Sequence, residues 1–132
     1  MKITETEEWK QLLELKDGWM EDGTGYAPPK EGMEWLGKQL DEHLGGCSLP
    51  LPAISPTAYG GVALVWQFGN YRVSLAIDVL RREGIATFQS PCGVEKARFL
   101  NLDSRYAWLS IVKTLCGILR DMQEGESNEN QT

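Results

Sequence analysis

Residues 62–79 read VALVWQFGNYRVSLAIDV, and the fold turns on how that stretch is laid out. Gly69-Asn70 is a two-residue link with Gly first, the composition of primed turns, whose backbone twist matches that of paired strands. Phe68 then faces Tyr71, and counting outward pairs Trp66 with Val73, Leu64 with Leu75 and Val62 with Ile77. Strand side chains alternate, so all of these share one face. The other face carries Ala63, Val65, Gln67, Arg72, Ser74, Ala76 and Asp78. One side of the hairpin is oily and the other small and polar. A further strand over 85–89 follows LRREG and adds Ala86 and Phe88 to the oily face, and a less regular fourth spans 94–102 after the turn signal SPCG.

Three helices frame these strands. The first opens with TETE, where Thr4 and Glu7 have capping-box spacing, carries Trp9, Leu12 and Leu13, and stops near Gly18. The second follows Pro28-Pro29, places Met33, Leu36, Leu40 and Leu44 on one stripe, and ends at Gly45-Gly46. The third begins at Asp103 or Ser104 and runs to about Met122, with Trp108, Leu109, Val112, Leu115, Cys116 and Leu119 on a broad apolar arc. An oily sheet face and a broad helical arc satisfy each other. The expected fold is therefore α+β: two N-terminal helices, a three- to four-stranded antiparallel meander, and a long C-terminal helix packed on the face bearing Leu64, Trp66, Val73 and Leu75. On this reading Trp66, Phe68 and Tyr71 are core. A base-stacking platform needs cations close by, and the hairpin offers only Arg72, on the opposite face.

With 132 residues and 42% hydrophobic content, the chain suits one domain over residues 1–122. The end, QEGESNENQT over 123–132, lacks apolar anchors and is expected to be a disordered acidic tail. The charged start MKITETEEWK is unlike a signal peptide and no apolar run approaches a membrane span, so a cytoplasmic protein of a bacterial host is expected. Cys47, Cys92 and Cys116 have no paired spacing, which argues for free thiols over a disulfide framework or a zinc site. Charge is uneven along the chain. Residues 1–46 hold 11 acidic against 5 basic side chains, residues 47–122 hold 5 against 8, and residues 123–132 hold 3 against none. Such a balance disfavours direct binding to a phosphate backbone.

The segments LKDGW and APP, then LPAISPT and YGGVALVW, resemble a group of short bacterial and phage proteins. That group shares Gly-Trp, Pro-Pro, Pro-x-Ile-x-Pro-Thr and Gly-Gly-x-x-Leu-x-Trp segments, matched here over the first half of the chain. The resemblance implies the same fold and a bacterial or phage origin. It brings no activity and no catalytic residue.

Candidate chemistry is sparse. His43 is the single histidine, at the end of the second helix beside Asp41 and Glu42, where a solvated residue favoured by the helix dipole is the simpler reading. The loop DGWMEDGTG has acids at the wrong spacing for a calcium loop and glycines that fit neither phosphate nor dinucleotide motifs, so it reads as a connection that lets Trp19 plug the core. No catalytic residue, metal or cofactor is expected, and the chain reads as a non-enzyme. Trp35 stands apart. It points about 145° from the stripe of the second helix and shares its face with Glu31, Lys38 and Glu42. An aromatic ringed by charge has the composition of an interface anchor, and burial beneath 48–56 or the first helix is the alternative.

The functional expectation is a small, acidic, non-catalytic inhibitor that blocks a basic surface of a larger protein. Anti-defence proteins such as anti-CRISPRs and toxin-neutralising immunity proteins or antitoxins are of this kind. The alternative is a structural or assembly protein that self-associates. The target and the oligomeric state are not legible in the sequence, nor is whether the acidic face mimics nucleic acid.

Overall fold

The computed structural model describes residues 2–45, 49–93 and 95–130, the last eight by their backbone alone. A 3-10 turn, Ile3–Glu5, precedes helices α1 (Glu7–Glu14) and α2 (Lys30–His43). Strands β1 (Ala53–Pro56), β2 (Val62–Phe68), β3 (Tyr71–Asp78), β4 (Glu83–Gln89) and β5 (Glu95–Asn101) follow, and α3 (Arg105–Asn130) closes the order. The strands form one antiparallel sheet in sequence order, so the fold is an α+β meander. The central register pairs Phe68 with Tyr71, Trp66 with Val73, Leu64 with Leu75 and Val62 with Ile77, as the alternation predicts. Gly69 takes φ 59°, the left-handed conformation that such a turn needs.

There are five strands rather than three or four. The additional one is β1, in the Pro-rich LPAISPT segment, where Ile54 pairs with Leu64 and Pro56 with Val62. Proline is tolerated at a sheet edge because its missing N–H need not face a neighbouring strand. It also hides the strand from a reading by periodicity.

The first helix is capped two residues later than its sequence suggests. Thr6 is the N-cap and its hydroxyl oxygen accepts the Trp9 N–H at 3.3 Å, while Thr4 donates to the Asp41 carboxylate on α2 at 2.9 Å. Thr4 therefore ties the 3-10 turn to α2. α1 stops at Glu14, with Trp9 and Leu12 buried and Leu13 exposed. In α2 the stripe Met33, Leu36, Leu40 and Leu44 is buried as expected. Two glycines let its neighbours come close. A Cβ on Gly32 would lie 2.5 Å from the Val79 side chain, and one on Gly37 would lie 3.1 Å from Trp9.

The face of β2 and β3 bearing Leu64, Trp66, Val73 and Leu75 is the core, with Trp66 2% exposed. Helix α3 contributes Ala107, Trp108, Ile111, Leu115 and Ile118 to that core, while Leu109 and Cys116 are exposed. The buried stripe is thus rotated by roughly 90° from the arc read in the sequence. Trp108 sets this rotation: its Nε1–H donates to the Leu102 carbonyl at 2.8 Å, within the interior. The expected tail falls on residues whose side chains, and for 131 and 132 whose backbone, lie outside those described. No helix among the described residues is long and apolar enough to cross a membrane.

Trp66→Ala should lower the unfolding free energy by about 3–5 kcal/mol through lost burial and a residual cavity, measured by denaturant melt. Trp108→Phe keeps an aromatic ring but orphans the buried Leu102 carbonyl, and should cost about 1–3 kcal/mol in the same assay. A melting temperature moved by only a degree or two in both would refute this account of the core.

Candidate protein-docking face

The anchor expected at Trp35 is not on offer to a partner. Trp35 is buried, 9% exposed, and belongs to the main hydrophobic cluster. Arg82, in the β3–β4 turn, places its guanidinium 5.4 Å from the centre of the indole ring, a cation–π contact, and bonds Asp103 through Nη1 at 3.2 Å. The helical wheel is right about the neighbours, since Glu31, Lys38 and Glu42 are all exposed. It misses that the indole turns beneath an arginine distant in sequence. The three charged residues remain as a solvated strip, separated from the aromatic that was to anchor them.

His43 also departs from expectation. Its ring stacks on Trp108, with centroids 5.5 Å apart and planes 2° from parallel, so it joins the end of α2 to α3. Trp19 does not plug the core. It is half-buried and its Nε1–H donates to the Tyr26 carbonyl at 3.1 Å, closing its own loop. Within that loop Asp22 accepts the Thr24 hydroxyl at 2.6 Å and the Thr24 N–H at 3.0 Å. These bonds, the hydroxyl first, hold its carboxyl below the usual range. Asp17 accepts the Ala27 N–H at 2.9 Å. Cys92 and Cys116 are free thiols, and Cys47 lies outside the described residues.

What the sheet leaves uncovered is its other face. Strand pairing lines up Ser55, Ala63, Ala76, Ile85 and Phe99 as one row across all five strands, and Ala53, Val65, Ser74, Thr87 and Ala97 as the next. None of these residues is buried, and none is charged. Ile85 is 51% and Phe99 64% exposed, directly opposite one another on neighbouring strands. Arg72, Gln89 and Glu95 bound the rows at one end, Asp78 and Glu83 at the other. The result is a small-residue surface with an apolar ridge on one side and charge at both ends.

Tyr59 extends the ridge. It is 91% exposed at the tip of a turn closed by hydrogen bonds: Thr57 N–H donates to the Gly61 carbonyl at 3.0 Å, and Gly61 N–H to the Thr57 hydroxyl at 2.9 Å. Gly61 is required there, because a Cβ would lie 2.4 Å from the Ile77 carbonyl oxygen. Tyr26 pairs alongside, its N–H on the Ala58 carbonyl at 3.0 Å. A shallow depression of about 290 Å³ between Tyr59, Ala76, Ile85 and Phe99 carries Asp78 and Glu83 on its wall. A second lies on the other side of Tyr59, between Tyr26 and Leu80, with Asp17, Asp78 and Arg81 around it. Large aromatics are enriched at protein interfaces whereas alanine, serine and carboxylates are depleted there, so Tyr59 and Phe99 are the groups of this face best suited to a partner.

Ile85 falls on this side because strand side chains alternate and its neighbour Ala86 faces the core. Phe99 needs the β4–β5 register, and nothing in the sequence around Tyr59 announces its presentation. Compared with known protein families, with curated proteins and with solved structures, the chain matches none.

Trp35→Ala should cost about 3–5 kcal/mol of stability, whereas Glu31→Lys and Glu42→Lys, at exposed positions, should each stay within about 0.5 kcal/mol. A stably folded Trp35→Ala protein in a chemical denaturation curve would show that the indole is not structural.

Proposed function

We propose that this chain is a non-catalytic protein-binding inhibitor from a bacterial or phage source, acting in the cytoplasm by seating its open sheet face on a basic surface of a larger protein. The observation that carries this reading is the uncovered row ending in Ile85 and Phe99, extended by Tyr59 on a rigid turn. Rigid aromatic groups give contact area at a low cost in conformational entropy, so such a face is prepared for a partner before the partner arrives. Asp17, Asp78 and Glu83 around it outnumber Arg81, and carboxylates at a rim favour encounter with a positively charged surface. The chain as a whole carries a net charge of −6, which acts in the same direction at long range. Anti-defence proteins such as anti-CRISPRs and toxin-neutralising immunity proteins or antitoxins are the classes of inhibitor that this description fits.

Self-association is the second reading, favoured by one observation: β5 is an edge strand in which every residue but Leu100 is exposed. An open strand edge can pair with a second copy. The two readings differ in what they retain. Immobilised wild-type protein should capture one stoichiometric larger partner from a bacterial host, and Tyr59→Ala with Phe99→Asp should abolish that capture without lowering the melting temperature. The association rate should fall as salt shortens the Debye length below about 8 Å. Retention of the partner by the double variant would overturn the assignment of this face, and a dimer in light scattering with no larger partner would replace inhibition by self-assembly.

A further inference from the structure

The covered face of the sheet is not sealed along its whole width. Between α3 and the β4–β5 side lies a cleft of about 260 Å³. Trp66, Leu75, Phe88 and Leu100 line its apolar floor. Lys96 and Arg98 stand on its rim, four and two residues before Leu100 on the same face of β5. On β2 and β3 that face carries Trp66 and Val73, so two cations occupy positions where the neighbouring strands place core residues.

An inward-pointing charge on an edge strand guards against edge-to-edge pairing. That role accounts for the charges but not for the space beside them. On the opposite wall α3 turns Ser110 and Thr114 toward the cleft, while its Ile111 and Leu115 are buried. The Thr114 hydroxyl donates to the Ser110 carbonyl at 2.9 Å, which leaves the Ser110 hydroxyl and the two cations as the donors facing the opening. Neither cation joins the two ion pairs found among the described residues, Arg81 with Asp78 and Arg82 with Asp103.

We propose that this cleft binds the free anion of a medium-chain carboxylic acid, its chain on the apolar floor and its carboxylate between Lys96 and Arg98. Size and charge both select this class. At about 30 Å³ for each water-sized group, the volume takes roughly nine methylene-sized units. An apolar pocket with few polar groups at its mouth orients a ligand by its head and holds it by its body. Arg offers a planar fork that matches a carboxylate, and Lys adds a point charge beside it. The site lies on the covered face of the sheet, opposite the Tyr59–Phe99 surface, and does not depend on the inhibitor reading.

The test is an NMR titration of the ¹⁵N-labelled full chain with sodium decanoate below its micelle-forming concentration. Sodium acetate and decyltrimethylammonium serve as matched probes for head and chain. Decanoate should give saturable, single-site binding, with the largest amide shifts at Lys96, Arg98 and Ser110. Lys96→Gln with Arg98→Gln should weaken it at least tenfold, and Ser110→Leu, which fills the cleft without changing charge, should weaken it as much. The Gln pair sits at exposed positions, so it stays informative even if Ser110→Leu unfolds. Equal binding of acetate, equal binding of the decyl cation, undiminished affinity in the Gln pair, or shifts centred on Ile85 and Phe99 would each overturn the proposal.

Discussion

One buried hydrogen bond ties the layers together. Trp108 is fully buried, and its indole N–H finds the carbonyl of Leu102, the residue that leads from β5 toward α3. A buried indole with no acceptor would be destabilising, so the bond fixes how far α3 is rotated about its own axis. Leu102 passes the constraint on, because its own N–H donates to the Arg82 carbonyl at 2.8 Å. Arg82 lies over Trp35 on α2, and His43, at the far end of α2, stacks on Trp108. The chain of contacts returns to its starting residue through both helices and the β3–β4 turn. Arg82 sits at φ 57°, unusual for a residue with a side chain. Its backbone bond, its ion pair and its aromatic contact together hold that conformation.

This circuit also explains which parts of the fold were legible in the sequence. The β2–β3 hairpin was readable to the residue pair, because period-two alternation and a Gly-Asn turn are local signals. Helix α2 was readable in its stripe for the same kind of reason. Trp35 was not. Its neighbours on the wheel are charged, and the group that covers it lies 47 residues further along the chain. The rotation of α3 was likewise invisible, since it follows from Trp108 meeting Leu102 rather than from the apolar periodicity of the helix. β1 was masked by its prolines. Of the open face, the small and polar row of β2 and β3 followed from alternation, whereas Tyr59 depends on a turn whose side-chain bond to Gly61 leaves no pattern in the sequence.

The two faces of the sheet divide the work by side-chain size. On the core side, large residues of β2 and β3 meet α3 and leave a gap only where β5 substitutes cations for apolar groups. On the open side, alanine and serine keep the surface low, so the few large residues stand above it. Folding alone has no need of Phe99 at an exposed edge position, and an exposed apolar edge carries an aggregation hazard. The charged residues that bound the rows limit that hazard while leaving the ridge accessible.

Geometry sets a lower limit on what must take part in the proposed docking. Adjacent strands lie about 4.8 Å apart and same-face residues about 6.6 Å apart, so the open face of five strands spans roughly 19 by 20 Å, about 400 Å². A stable protein interface needs about 800 Å² on each partner. The sheet alone therefore supplies about half the area. The remainder has to come from surface continuous with it, and large apolar groups continue past Tyr59 toward Tyr26 and Leu80. The bond from Tyr26 to Ala58 fastens that loop to the turn bearing Tyr59, so sheet and loop present one surface. On the proposed docking, a partner that covers both reaches around the end where Asp17, Asp78 and Glu83 lie, which would bring these carboxylates from the rim into the footprint. Inside a footprint they are desolvated on binding and must be matched by cations. Arg81 already pairs with Asp78 at 4.0 Å, so on the proposed docking Asp17 and Glu83 are the charges that a neutral partner would leave without a cation, and they favour a basic partner over a neutral one.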